Sequence, residues 1–296
     1  MANSDASIGD RLFAAIQQVL PTRALSSGMH ALTRIRTPWF KNAFIRIFMR
    51  GFDIRLDEAQ IRDVEQFEHF NAFFTRALQS GARRIDAAPE AFVSPVDGAV
   101  SQFGDLLGRS TGPGAELIQA KGHNYSAETL LAGRADWAAE FAGGQFITIY
   151  LAPYNYHRIH MPVAGKLREW AYVPGRLFSV NHATARALPG VFARNERLVA
   201  MFDTEFGPMA LVMVGALFVG SMETTWAGEV SPPHVREPAP AFYAPMRPIE
   251  FQKGEEMGRF NMGSTVILLM PKKLNWEALQ SRQPLRLGER LARIKS

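Results

Sequence analysis

The stretch Gly144-Gln145-Phe146-Ile147-Thr148-Ile149-Tyr150-Leu151 decides the fold class, because its β-branched and aromatic residues favour a buried strand. Similar short runs lie at residues 92–93, 211–214 and 266–269, and turns that contain glycine or proline separate them. This spacing predicts a mainly antiparallel, barrel- or sandwich-like β core. No glycine-rich nucleotide loop follows any of these runs. The tail, residues 272–296, is predicted to be a short helix or a basic surface segment.

The first part of the chain has a helical pattern instead. Apolar residues recur at helical spacing in three segments, which cover about residues 8–20, 27–51 and 64–76. We therefore predict an α+β protein. An N-terminal helical region, residues 1–85, is followed by a catalytic core, residues 86–296.

The charge pattern of the first helices is unusual. Residues 11–52 contain no Asp or Glu and seven basic residues, namely Arg11, Arg23, Arg34, Arg36, Lys41, Arg46 and Arg50. Large apolar side chains, including Trp39, Phe44 and Phe48, are interleaved with them. This mixture favours a bilayer interface over nucleic acid. We expect these helices to dock on an anionic membrane, and an ordinary packed helical subdomain is the alternative.

The composition excludes several classes of protein. Hydrophobic residues make up 47% and charged residues 21% of the 296 residues, which is close to the globular average and excludes a disordered chain. There is no cysteine, so disulfides, thiol catalysis and iron–sulfur clusters are excluded and a nucleophile must be oxygen or nitrogen. Residues 206–222 form the longest uncharged run in the second half of the chain. This run is short for a membrane span, and glycine and proline interrupt it. We expect neither a transmembrane helix nor a signal peptide.

Three short segments carry residues that can do chemistry. The first has Asp97 in an Asp-Gly pair, the second has His157 and His160 three residues apart, and the third joins Gly263 to Ser264. Each has an ordinary interpretation as well, because Asp-Gly and Gly-Ser pairs are common in turns and the histidines could be core or surface residues. A zinc site on the two histidines is a further alternative, but it requires a third ligand.

Taken together, the segments resemble phosphatidylserine decarboxylases of the bacterial, proenzyme type in their order and spacing. Met262 stands where that family usually has Leu, a change that conserves volume. The likeness covers nearly the whole chain, through residues 70–78, 94–100, 120–122, 125–126, 156–165, 180–181, 192–197 and 262–265.

The resemblance implies an enzyme that cuts its own chain between Gly263 and Ser264. The Ser264 hydroxyl would attack the carbonyl of Gly263, and His160 would accept the hydroxyl proton. Asp97 would orient His160 and stabilise its charge, so that Asp97, His160 and Ser264 form a self-cleavage triad.

The implied cofactor is pyruvate, in the form of a covalent pyruvoyl group made from Ser264. This group would form a Schiff base with the substrate amine. It would then act as the electron sink for decarboxylation. Cleavage would leave a β chain, residues 1–263, associated with an α chain, residues 264–296. His157 is the predicted proton donor once CO₂ has left, since a histidine ordinarily has a pKa near neutrality. No metal is expected at this site.

The implied substrate is phosphatidylserine in an anionic membrane, which a carboxy-lyase of phospholipid biosynthesis converts to phosphatidylethanolamine and CO₂. We therefore expect a peripheral protein on the cytoplasmic face of the cell membrane. We expect no nucleic-acid partner. The resemblance is also compatible with a homodimer of the αβ unit. The alternatives are a decarboxylase of another serine phospholipid, a catalytically inert membrane-binding homologue, and a zinc hydrolase that uses His157 and His160.

Overall fold

The computed structural model describes residues 6–108, 115–120, 123–218, 221–230, 239–263, 265–271 and 274–294. Its helices in these ranges are α1 (Ile8–Val19), α2 (Thr22–Leu32), α3 (Pro38–Phe52), α4 (Phe70–Phe74), α5 (Ala127–Leu130), α6 (Ala135–Ala139), α7 (His182–Ala187) and α8 (Val191–Arg194), with a 3₁₀ turn at Val64–Gln66.

The strands of the same ranges are mostly short. They are β1 (Ala91–Val93), β2 (Gly98–Asp105), β3 (Leu107–Gly108), β4 (Ala115–Ala120), β5 (His123–Ser126), β6 (Gln145–Tyr150), β7 (Arg158–His160), β8 (Gly165–Val173), β9 (Arg197–Thr204), β10 (Gly207–Val214), β11 (Met222–Thr224), β12 (Gly228–Glu229), β13 (Ala241–Tyr243), β14 (Glu250–Phe251), β15 (Glu256–Phe260), β16 (Thr265–Met270), β17 (Leu274–Trp276), β18 (Pro284–Leu285) and β19 (Arg290–Ile294).

The largest sheet is antiparallel and has the order β13-β8-β9-β10-β16-β6-β2-β18, with β14 also paired to β8. The antiparallel α+β prediction is confirmed. The barrel form of that prediction was wrong, because the end strands β13 and β18 do not pair within the described residues. β18 is two residues long and begins with Pro284, which has no N–H to donate to a further strand.

The centre of this sheet is buried on both faces, which explains why its central strands β6, β10 and β16 are mostly apolar. In β10, Met209, Leu211 and Met213 belong to one hydrophobic core, and Ala210, Val212 and Val214 belong to another on the opposite face. Residues of the smaller sheets β1-β19-β17 and β12-β11-β15-β7 complete the first core, and residues of helices α5 to α8 complete the second. The cleavage point predicted from the sequence lies between β15, which belongs to a smaller sheet, and β16, which belongs to the large sheet.

The prediction for the tail was wrong. The described residues 274–294 form strands, in which β19 pairs with both β1 and β17. Leu274, Leu291 and Ile294 are buried. Charged residues between these positions obscure the strand pattern in the sequence.

Helix α1 directs its apolar stripe away from the protein. Its inward side contributes Ala14 and Gln17, and the Gln17 amide donates to the Thr184 hydroxyl at 3.2 Å. Asp10 forms an ion pair of 2.9 Å with Arg186. The outward stripe consists of Ile8, Leu12, Ile16 and Val19, which are 88%, 62%, 47% and 83% exposed. An amphipathic helix of a soluble protein ordinarily shows the opposite arrangement.

Helices α3 and α4 share a third hydrophobic core that reaches the predicted site. Phe44 stacks on Phe70 at 4.2 Å between ring centroids, and Phe73 and Phe74 are fully buried beside them. Met262 packs against the same core. The chain next to the predicted cleavage point is therefore supported by the helical region.

Acidic residues from elsewhere in the chain hold several basic residues of the 11–52 segment. The contacts are Arg34–Glu229 (3.1 Å), Arg36–Glu68 (2.8 Å), Arg46–Glu65 (3.2 Å) and the Lys41 ammonium to the backbone carbonyl of Glu65 (3.0 Å). The absence of acids within the segment therefore overstates its free positive charge.

Candidate active site

Side-chain amides anchor the chain just before the predicted cleavage point. The Asn261 side-chain amide donates to the Ser221 hydroxyl at 2.6 Å, and the Asn71 side-chain amide of α4 donates to Oδ1 of Asn261 at 3.1 Å. The backbone N–H of Asn261 also donates to the carbonyl of Ser221 at 2.9 Å. Two separate elements thus fix the approach to Gly263. Ser264 lies outside the described residues.

Gly263 is packed so closely that a side chain would not fit. A Cβ atom at this position would lie 2.9 Å from Cε1 of His157 and 3.4 Å from the carbonyl oxygen of Leu151. The first distance is well below an ordinary carbon–carbon contact of about 3.5 Å. A neighbouring ring therefore favours glycine at this position.

His157 is a fully buried imidazole with unused nitrogens. Its ring stacks on Phe74 at 4.1 Å between centroids. Neither ring nitrogen has a hydrogen bond of good geometry among the described residues, although the backbone of Pro153 and of Ala152 weakly favours the charged ring. Burial, together with the nearby Arg76 guanidinium, lowers the pKa of His157 to about 3, so the ring is neutral at pH 7. This differs from the near-neutral pKa on which the sequence argument relied.

His160 has both ring nitrogens engaged. Nδ1 lies 2.8 Å from the carbonyl oxygen of Gly254, which can only accept, so Nδ1 carries the hydrogen. Nε2 is then the accepting nitrogen, and the Tyr156 hydroxyl donates to it at 3.1 Å. Burial lowers the pKa of His160, which favours the neutral ring, and burial raises the pKa of Tyr156, which keeps its hydroxyl protonated.

Asp97 is buried but is not hydrogen-bonded to His160 in the described structure. Its carboxylate accepts hydrogen bonds from Arg83, at 2.6 to 3.2 Å, and from the backbone N–H of Leu287 at 2.8 Å. Its negative charge nevertheless reaches His160, because it opposes the lowering of the His160 pKa. Asp97 therefore acts on His160 through its charge. The group that forms a hydrogen bond with Nδ1 of His160 is the carbonyl of Gly254.

An apolar cavity of about 390 Å³ adjoins Gly263. Phe44, Phe48 and Phe52 of α3 line it on one side, and Leu151 and Met262 lie on the side of the sheet. The cavity therefore connects the predicted cleavage point with the helical region. Its size and lining suit part of a lipid chain.

Three residues of this arrangement were not selected from the sequence. Tyr156 lies in the histidine segment but had no assigned role, and Arg83 and Gly254 lie in loops far from the histidines in sequence. Within the described ranges, no group of three or more His, Asp or Glu residues could hold a metal ion.

Comparison with known proteins agrees with the resemblance seen in the sequence. A family model described as phosphatidylserine decarboxylase matches residues 70–293, and a second model, described as PSD, matches residues 12–53. The chain is 52% identical over 287 residues to the phosphatidylserine decarboxylase proenzyme of Stutzerimonas stutzeri, with 95% of this chain and 94% of that protein covered. It is 50% identical to the proenzyme of Nitrosococcus oceani, with 96% and 92% covered, and 51% identical to that of Pseudomonas fluorescens, with 95% and 96% covered.

Proposed function

Because this chain belongs to the phosphatidylserine decarboxylase family, we propose that it cuts itself between Gly263 and Ser264 and then decarboxylates phosphatidylserine to phosphatidylethanolamine. One observation carries the proposal beyond the family likeness. Gly263 lies against the neutral, unpartnered ring of His157 at the wall of an apolar cavity. A scissile bond, a proton carrier and space for a lipid thus occur together.

Self-cleavage begins when Oγ of Ser264 bonds to the carbonyl carbon of Gly263. The amide bond breaks, which leaves an ester and a free amine on residue 264. Loss of the Cα proton of this residue then breaks its Cβ–Oγ bond and releases the carboxylate of Gly263. Water hydrolyses the resulting dehydroalanine, ammonia leaves, and the α chain starts with a pyruvoyl group.

In this proposal Nε2 of His160 accepts the proton of Ser264. The hydrogen bond from Nδ1 to the Gly254 carbonyl supports this role, because it leaves the lone pair of Nε2 for a proton. The Tyr156 hydroxyl uses that lone pair in the structure, so the serine would replace it or pass its proton through it. Asp97 would stabilise the imidazolium through its charge.

The surroundings of Gly263 fit the proposed pyruvoyl group. This group supplies the ketone that withdraws electrons from the carbon that loses CO₂. The nitrogens of His157 lack good hydrogen bonds, and a buried polar group without a partner is costly. A polar ligand that bonded to them would remove this cost, so they fit a ligand site. His157 is the proposed donor of the proton that replaces CO₂. The negative charges of a bound phosphatidylserine would raise its low pKa and so favour its protonation.

The outward apolar stripe of α1 supports docking on a membrane. Four large apolar residues of one helical face are 47% to 88% exposed. The opposite face is tied to α7 by Gln17 and Asp10. A helix in this position can bury the stripe among acyl chains. Within the described part of the chain, no helix is both long and apolar enough to cross a membrane. We propose a peripheral enzyme at the cytoplasmic face of the cell membrane. The proposal also includes a homodimer of the αβ unit, and analytical ultracentrifugation tests the oligomeric state.

Intact-mass spectrometry of the purified protein tests the proposed function. Two chains are expected, corresponding to residues 1–263 and to residues 264–296 with a pyruvoyl N-terminus, together with CO₂ release from phosphatidylserine in mixed micelles. Ser264→Ala should give one full-length chain and no CO₂. A full-length parent chain without decarboxylase activity would identify an inert homologue instead. Cleavage of the Ser264→Ala variant at the same bond would show that an external protease makes the cut.

A further inference from the structure

Arg83 holds both carboxylate oxygens of Asp97. Its Nε lies 2.9 Å from Oδ1 and 3.2 Å from Oδ2, and its Nη2 lies 2.6 Å from Oδ2. Its Nη1 donates to Glu58 at 2.8 Å, which fixes the guanidinium from the other side. Asp97 is only 6% exposed, so these charge-assisted bonds lie out of bulk water. The carboxylate is thus both oriented and electrically compensated.

The groups around His160 show why that compensation matters. The charged and titratable groups that face it are Asp97, Glu256, Arg158 and Tyr156. The Glu256 carboxylate forms an ion pair of 2.9 Å with Arg158. Each acid beside the imidazole therefore has its own arginine. Neither acid is left with an unpaired charge that would hold a proton on the ring.

We propose that Arg83 is a positioning residue of self-cleavage, which fixes Asp97 and offsets its charge so that His160 is a free base at neutral pH. The inference rests on the proposed function, in which His160 accepts the proton of Ser264. An imidazole accepts a proton only in its neutral form. A nearby carboxylate without a partner would stabilise the imidazolium already in the resting enzyme and so remove the base from use. The charge of Asp97, moderated by Arg83, would still favour the imidazolium that forms when Ser264 loses its proton.

Two substitutions separate the charge of Arg83 from its shape. Arg83→Met leaves Asp97 with the Leu287 amide and should raise the pKa of His160 by about one unit. Arg83→Lys keeps the charge but cannot form the two-armed contact. It should therefore move the pKa of His160 by less than half as much.

The direct measurement uses the Ser264→Ala precursor, which should remain a single chain. Carbon–proton NMR spectra of the histidine Cε1 positions, recorded as a pH titration, give the pKa of His160, and His160→Gln assigns its signal. Arg290→Met is the matched control, because Arg290 also forms an arginine–aspartate ion pair, with Asp86 at 2.6 Å. The inference predicts a raised pKa in Arg83→Met and an unchanged one in Arg290→Met. An unchanged pKa of His160 in Arg83→Met would overturn it.

The rate of self-cleavage gives an independent readout in the chain that retains Ser264. In cell-free translation, Arg83→Met should slow cleavage at pH 6 by up to several-fold more than at pH 8. A rise of one unit in a pKa that starts below its usual value lowers the fraction of free base by less than tenfold at pH 6 and hardly changes it at pH 8. An equal slowing at both pH values would refute the role of charge. If Arg83→Met does not fold, Arg83→Gln replaces it, and Arg83→Lys must then shift the pKa of His160 less than Arg83→Gln does. Cleavage of the Ser264→Ala chain would refute the proposed function, while the effect of Arg83 on His160 would still be measured.

Discussion

Replacing Gly263 with alanine should slow self-cleavage strongly, because the new methyl group and the His157 ring would overlap. The Cβ would lie 2.9 Å from Cε1 of His157, so the ring or the backbone must move by about 0.6 Å to restore an ordinary contact. Stacking on Phe74 at 4.1 Å between centroids limits how far the ring can move. A displacement of 1 Å at reacting atoms can cost about a hundredfold in rate, and about half that displacement suggests a slowing of roughly tenfold.

The assay is pulse labelling in cell-free translation, with the cut fraction followed on denaturing gels. Gly51→Ala is the matched control, because Gly51 lies in α3 with open space around its Cα, and it should cleave at the parent rate. Thermal unfolding in the Ser264→Ala background measures the cost to stability, which should be about 1–3 kcal/mol for Gly263→Ala.

A double substitution isolates the cause. In the His157→Ala background the ring is absent, so adding Gly263→Ala should change the cleavage rate by less than about threefold. If Gly263→Ala cleaved at the parent rate, the overlap would be harmless. If the double variant remained as slow as the single one, the obstacle would lie elsewhere than in His157.

The other predictions concern the histidines and the first helix. His160→Ala should block cleavage, whereas His157→Ala should be cut at least partly yet release little CO₂; equal cleavage defects on gels would remove the reason for different roles. Since the pKa of buried His157 is about 3 against 6.5 for the unfolded chain, the unfolded state binds the extra proton between these values, and stability should fall on acidification. In urea unfolding of the Ser264→Ala precursor between pH 7 and pH 5, His157→Phe should remove about 2 kcal/mol of that loss, and an identical loss in both chains would show that His157 is not responsible. Serine at all four stripe positions should abolish sedimentation with anionic liposomes, whereas glutamine at five basic positions should only weaken it and make it less salt-dependent; undiminished binding of the serine variant would return α1 to an ordinary surface helix. The substituted positions are Ile8, Leu12, Ile16 and Val19 for serine, and Arg34, Arg36, Lys41, Arg46 and Arg50 for glutamine.

Three central strands of the large sheet could be predicted from the sequence, because burial on both faces selects mostly apolar residues along them. The stretch at 144–151 became β6, and the runs at 211–214 and 266–269 lie in β10 and β16. The strands of the tail were missed because Arg290 and Arg293 interrupt the apolar pattern of β19. Strand order and closure depend on pairing between distant segments, which local patterns do not encode.

The partners of the site residues could not be predicted for the same reason. His160 is oriented by the carbonyl of Gly254, which any residue type could supply. Asp97 is held by Arg83, for which the sequence predicted no role. The net charge of the first helices was similarly misleading, since Glu229 reaches Arg34 only in the folded chain. Residue types at motif positions were informative, but the contacts between them required the tertiary structure.

Strand β16 has a consequence for the life of the mature enzyme. It lies between β10 and β6, it pairs with both, and all six of its residues are buried. After the proposed cut this interior strand would belong to a separate polypeptide, the one that starts at residue 264. The uncut precursor can refold as a unimolecular process, but the cut enzyme, once denatured, must first bring two polypeptides together, so its refolding becomes concentration-dependent. Maturation would thus exchange reversible folding for kinetic stability, with the persistence of the enzyme set by its rate of unfolding.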